Sequence, residues 1–328
     1  PPRSVLSSGV DTLSAISPCV KSSGEIINLL KTSTYLLRQP HDRIPLKTKA
    51  GLLRTLQHFI PLFSIESDQS LADDIFRTVV SLYTEFNDDA TRNLISTVFR
   101  EYAKLDDELL QVSELCADLN AVATHKLDTV DYEKRLQAFT KINEDLWSTL
   151  GSKQWRPLLF NMLFHVKDEQ ELAIRASACF GLKRFIERSV MAETDKEGFD
   201  ELRDQVLLPA LRQGTRQRSE LIRMEVVSVL GHLVKTNPTL PSVQDMHVLL
   251  VGGDEEASFF NNILHIQQHR RLRALRRLAA EVGKGVINTS NIESIFIPLV
   301  EHFIFQIAED DESAHNLAAK AVATIGTL

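Results

Sequence analysis

Five arginines stand within eight residues, at Arg270, Arg271, Arg273, Arg276 and Arg277, a charge density matched nowhere else in the sequence. Guanidinium groups grip phosphate oxygens through paired N–H donors, and an RNA backbone needs several such contacts. At about 100° per residue, Arg273, Arg276 and Arg277 fall within about 120° of Arg270 on a helical wheel, while Leu272, Leu275, Leu278 and Ala279 take the opposing face. The expected binding residues are therefore Arg270, Arg273, Arg276 and Arg277, sharing one exposed stripe. Arg271 falls beside the apolar face and is assigned to the fold. The competing expectation is a solvated or protein-facing helix side, balanced by Asp254-Glu255-Glu256 just upstream.

Other chemistry finds little support. His265 and His269 have the i, i+4 spacing of two metal ligands, but no cysteine and no internal glutamate completes a set, so no metal is expected. Cys19, Cys116 and Cys179 are odd in number and far apart, which supports neither a disulfide framework nor a zinc site. A phosphate-binding glycine loop, a nucleophile elbow and kinase or hydrolase signatures are missing. No catalytic residue, cofactor or small-molecule substrate is expected. The acidic run Glu309-Asp310-Asp311-Glu312 reads as a helix start, and Phe259, Phe260, Phe303 and Phe305 as packing residues. The most apolar stretch, Ile292 to Ala308, is interrupted by Glu293, Glu301 and His302, too polar for the roughly 20 apolar residues that span a bilayer.

The elements that position the arginines follow from a repeat. A basic residue is followed by apolar residues at +3, +7, +10 and +11: Lys49 by Leu52, Leu56, Phe59 and Ile60; Arg92 by Ile95, Phe99, Tyr102 and Ala103. Arg175 and Arg223 lead complete copies, whereas Arg135 and Arg271 have Asp145 and Glu281 at the +10 place. Successive spacings of 43, 43, 40, 48 and 48, then 47 to Ala318, keep the phase. Offsets of three, four and seven mark one helix face, and a second helical pattern lies between copies. Each basic residue is expected to reach an acidic or carbonyl partner at a repeat junction, with its stem packed at the core edge.

Two helices per period of about 40 to 47 residues fit HEAT units. The expected fold is all-α, an α-solenoid of stacked HEAT-type helix pairs running 1–328 as one array, with pairs at 21–64, 69–104, 107–150, 154–188, 199–236, 243–284 and 291–328. Second helices should begin near Lys47, Ala90, Tyr132, Glu169, Ser219, Phe259 and Glu312, with capping boxes at Asp168 and Ser290. The 13 glycines and 11 prolines are few, which suits helices, and Pro157, Pro209 and Pro298 are expected in first helices. A net charge of −7 means that any basic surface is local. With Pro1-Pro2-Arg3 at one end and an unfinished helical pattern at the other, the chain reads as an internal piece of something longer.

The run from Phe259-Phe260-Asn261-Asn262 to Arg276-Arg277-Leu278 resembles a signature of the Down-Regulated-In-Metastasis family. Supporting stretches are Gln154 to Leu159, Glu171 to Arg175 and Ile297 to Phe303. The resemblance implies a non-catalytic, giant HEAT-repeat scaffold of the nucleolus, bound to pre-ribosomal RNA and small nucleolar ribonucleoprotein proteins during early assembly of the small ribosomal subunit. The alternative is a HEAT adaptor, such as a transport receptor or phosphatase-type scaffold, that binds protein without RNA.

Overall fold

The computed structural model describes residues 3–123, 130–305 and 312–326. The protein is all-α; among the described residues β-structure amounts to one isolated antiparallel bridge between Val122 and Val130. Two compact units are present, one of Pro1–Ile142 with Lys153–Phe164, the other of Asn143–Ser152 with His165–Leu328.

The first unit contains α1 (Arg3–Ile16), α2 (Ser23–Leu37), α3 (Leu46–Phe59), α4 (Gln69–Ser81), α5 (Asp89–Ala103), α6 (Leu110–Leu119), α7 (Tyr132–Thr140) and most of α8 (Ser152–His165). Helices α2 and α3, α4 and α5, and α6 and α7 pack as pairs, and α1, outside the expected pairs, lies on α3. Asp68, Asp88 and Asp131 start α4, α5 and α7 by accepting the N–H groups of Leu71, Thr91 and Lys134 at 2.8–3.0 Å. The apolar register residues Leu52, Leu56, Ile95, Phe99, Ala138 and Ile142 are all buried.

In the second unit follow α9 (Leu172–Met191), α10 (Lys196–Leu202), α11 (Leu208–Gly214), α12 (Glu220–Thr236), α13 (Phe259–Asn262), α14 (Gln268–Gly283), α15 (Thr289–Asn291), α16 (Ile297–Phe305) and α17 (Glu312–Ile325). Helices α9 and α12 lie side by side, α13 bridges α12 and α14, and α14 packs on α17. Pro209 and Pro298 each stand two residues beyond the end of a π-helical turn, Arg203–Leu207 and Ile292–Phe296. A wider turn accommodates the ring and the missing N–H, so both helices continue through the proline. Pro157 sits inside α8.

Local departures from the sequence expectations have physical causes. The sixth second helix begins at Gln268, not near Phe259; that residue opens a single turn, α13, pinned by Phe259 edge-on against Phe296 at 5.5 Å and by Phe260 against Gly231. An added Cβ at Gly231 would lie 2.7 Å from the Cβ of Phe260, so this crossing requires glycine. Asp168 does not start a helix directly; its carboxylate caps Gln170 and Glu171 N–H groups at 2.9 Å, and α9 begins at Leu172. Asn288, not Ser290, caps α15 by accepting from Asn291 N–H at 2.8 Å. Where a first helix was expected near 243, Gln244–Gly253 forms a 3-10 stretch that breaks at Val251, whose φ of 54° is strained for a β-branched residue. Phe259, Phe260 and Phe303 are buried, but Phe305 is 80% exposed. Glu309, Asp310 and Asp311 lie outside the described residues.

Candidate nucleic-acid interface

The arginines of this chain divide into those consumed by the fold and those left over. All six register cations are buried or nearly so, and each finds the acidic or carbonyl partner that its position requires. Lys49 meets Glu85 at 2.7 Å, and Arg135 meets Asp89 at 2.7 Å and the Ala121 carbonyl at 3.1 Å. Arg175 donates to the Asp168 carbonyl at 2.7 Å, and Arg223 to those of Gln217 and Arg218 at 2.7 Å. These carbonyls belong to the turn before the arginine's own helix, where the preceding helix ends with unpaired oxygens, so the guanidinium closes the turn.

Arg92 is the extreme case. Wholly buried, it donates to the Tyr83 and Phe86 carbonyls, to Asn120 Oδ1 at 2.7 Å and to Asn161 Oδ1 at 3.0 Å, and it lies 3.4 Å over the Phe164 ring. Asn120 and Asn161 are themselves joined at 2.8 Å. Burial pulls the Arg92 guanidinium down to about 9, still charged at neutral pH.

Helix α14 shows both fates within three turns. Arg271 is 17% exposed, paired with Glu220 at 2.6 Å and bonded to the His265 carbonyl at 2.6 Å, as its register place predicts. Arg270 departs from the expected stripe: it is 18% exposed and held between Glu256 and the His265 ring. Because α14 starts only at Gln268, Arg270 lies in its first turn, within reach of the preceding loop. The neutral His265 ring has one acceptor nitrogen, so its tautomer decides whether it accepts a hydrogen bond from Arg270 at 2.8 Å or from Gln267 N–H at 3.0 Å. His265 is thereby a loop-organising residue, and His269 is exposed beside it.

Arg273 and Arg276 are exposed and Arg277 half-buried, and among the described residues none has a carboxylate within 4.0 Å. Glu281, one turn on, is buried and paired with Lys284 at 2.9 Å, so it leaves their charge intact. Ala274, Leu275 and Leu278 anchor the opposite face in the core. The arrangement offers three guanidinium forks on one rigid helix face.

Sequence reading passed over a second cationic feature in this unit. Arg184 on α9 is stacked between Trp147 and Phe180, 4.5 and 4.7 Å from their ring centres, and Lys183 beside it lines a cleft. The i, i+4 spacing of Phe180 and Arg184 was the available signal.

Known proteins show the same chain in relatives. The family described as U3 small nucleolar RNA-associated protein 20, N-terminal, matches residues 1–219. The chain belongs to this family. U3 small nucleolar RNA-associated protein 20 of Schizosaccharomyces pombe is 35% identical over 326 residues, 99% of this chain and 13% of that protein. The protein of the same name from Saccharomyces cerevisiae is 33% identical over 271 residues, 81% of this chain and 11% of its own length. The chain thus spans about an eighth of these relatives. The family agrees with the one read from the Phe259 to Leu278 block, although that block lies beyond the matched 1–219. An engineered protein of known structure overlays on 99% of this chain and 92% of its own at 13% identity and a TM-score of 0.23, a similarity that carries no argument.

Proposed function

We propose that this chain is part of a non-catalytic architectural scaffold of the small-subunit processome, acting in the nucleolus in early ribosomal RNA processing. It binds pre-ribosomal RNA through Arg273, Arg276 and Arg277, alongside small nucleolar ribonucleoprotein proteins. The observation that carries this reading is the row of guanidinium groups on α14 without carboxylate partners among the described residues. Its support is the family, whose named relatives are associated with U3 small nucleolar RNA. Arg270 joins the row only if its pair with Glu256 opens. Nothing in the charge of the chain draws RNA globally, so removal of these three side chains should weaken RNA binding.

The helix pairs are read as one continuous array, a reading supported by the unbroken phase of the register cations from Lys49 to Arg271. Among the described residues no helix is long and apolar enough to cross a membrane. Ultraviolet cross-linking of the full-length protein tests the RNA contact: RNA-bearing peptides should include residues 272–278. Cross-links confined to proteins at α14 would favour the adaptor.

A further inference from the structure

Beside α14, helices α9 and α12 form a second polar surface that the stripe does not use. Lys183, Ser228, Gly231, His232, Lys235, Gly253 and Asn261 line a cleft of about 250 Å3 together with Asp254 and Glu255. Its cations are not equivalent. His232 faces Glu187 at 3.2 Å and Lys235 faces Glu255 at 3.3 Å, and one Asp254 oxygen is taken by the Glu256 N–H at 2.9 Å. Lys183 has no carboxylate within 4.0 Å among the described residues; its ammonium donates to Ser228 Oγ at 2.8 Å. Two of its three protons remain to give, while the Ser228 hydroxyl, accepting from Lys183, turns its own proton toward the Cys179 thiol.

One helical turn before Lys183 stands Phe180, 43% exposed although large and apolar. Its inner face rests on Arg184, which Trp147 sandwiches from the other side and which Glu187 at 2.8 Å and the Asn143 carbonyl at 3.2 Å hold in place. The ring is therefore held by Arg184 while 43% of the residue stays open to solvent, and residues at i and i+3 are neighbours on a helix. An anion-ready ammonium, positioned by Ser228, next to an aromatic ring held on one face supplies the two halves of nucleotide recognition: the phosphate on one, the base stacked on the other.

We infer that this face of α9 and α12 is a subsite for single-stranded RNA, with a phosphate at Lys183 and the adjoining base on Phe180. It rests on the RNA reading above but uses none of the α14 arginines, so the two can fail separately. The test measures binding of a labelled oligoadenylate and of an RNA duplex at matched salt to the 328-residue chain and three variants: Phe180→Ala with Lys183→Gln, Phe180→Trp, and the triple Arg273→Glu, Arg276→Glu, Arg277→Glu. The paired Phe180 and Lys183 change should weaken oligoadenylate about tenfold and leave the duplex unchanged, while Phe180→Trp keeps or tightens single-strand binding. If the double variant melts early, Phe180→Ala alone, at an exposed site, carries the same comparison. Unchanged oligoadenylate affinity, equal loss on both RNAs, or a parent that binds no single strand at low salt overturns the subsite. If the triple variant binds like the parent while the Phe180 variant fails, the α14 reading falls and the subsite stands.

Discussion

Arg92 in the first unit and Arg276 in the second are the same side chain at opposite extremes of surroundings. Arg92 is enclosed by two carbonyls, two asparagines and a phenyl ring, whereas Arg276 points from α14 with no carboxylate near it among the described residues. The contrast recurs within α14 itself, between Arg271, clamped to Glu220, and Arg273, two residues on and exposed. Residue type alone therefore says nothing of role here. What decides it is whether the fold has supplied an acceptor, because a buried guanidinium needs every donor matched and an exposed one can keep its donors for a ligand.

The largest effect should come from breaking the buried end. Arg92→Leu leaves the Tyr83 carbonyl and the Asn120 oxygen without their donor and the Asn161 oxygen with only the Asn120 amide, and should cost about 3–5 kcal/mol of stability in a urea titration. Next, Arg271→Glu sets a carboxylate against Glu220 and frees the His265 carbonyl; a loss of about 2–4 kcal/mol is expected by the same measurement. A loss as small as at an exposed site would erase the distinction between Arg271 and its neighbours.

Acid should also act on the second unit. Burial, the largest cause, holds His232 and His302 below the ordinary histidine value; Lys183 and Lys235 add to it at the first and Arg223 at the second, while Glu187 opposes it at the first and Thr215 and Glu301 at the second. Such groups take up protons more readily when unfolded, so stability is complete above about pH 6.5 and declines as pH falls through the lower folded values. Melting temperatures at pH 7 and pH 5 should show that decline, and His232→Gln should reduce it. The smallest effect is a gain: Val251→Gly relieves the positive φ and should add about 1 kcal/mol, read from the same titrations.

The register cations were legible in the sequence because each sits at a fixed offset from the apolar face, and that offset alone places it at a turn. The helix starts at Leu46, Asp89, Tyr132 and Glu220 followed for the same reason. Arg270 was not legible: its partner Glu256 lies fourteen residues back, and where α14 begins is set by how Phe259 and Phe260 seat in the core, a tertiary effect. The 3-10 stretch at Gln244–Gly253 was hidden because a short apolar run reads alike in either helix type. The Trp147, Arg184 and Phe180 stack joins residues 37 apart in the chain, which local spacing only half reveals.

The central claim is that α14 spends Arg271 on the fold and offers Arg273, Arg276 and Arg277 to RNA. It is tested most directly by the salt dependence of RNA affinity for the parent and for the variant with those three changed to Glu. Each exposed change should cost within about 0.5 kcal/mol of stability, so the variant stays folded. With roughly 0.7 to 0.9 in logarithmic slope per phosphate contact, the account predicts for three contacts a slope shallower by about 2 to 3 and weaker binding at low salt. Identical slopes and affinities for parent and folded variant would contradict it.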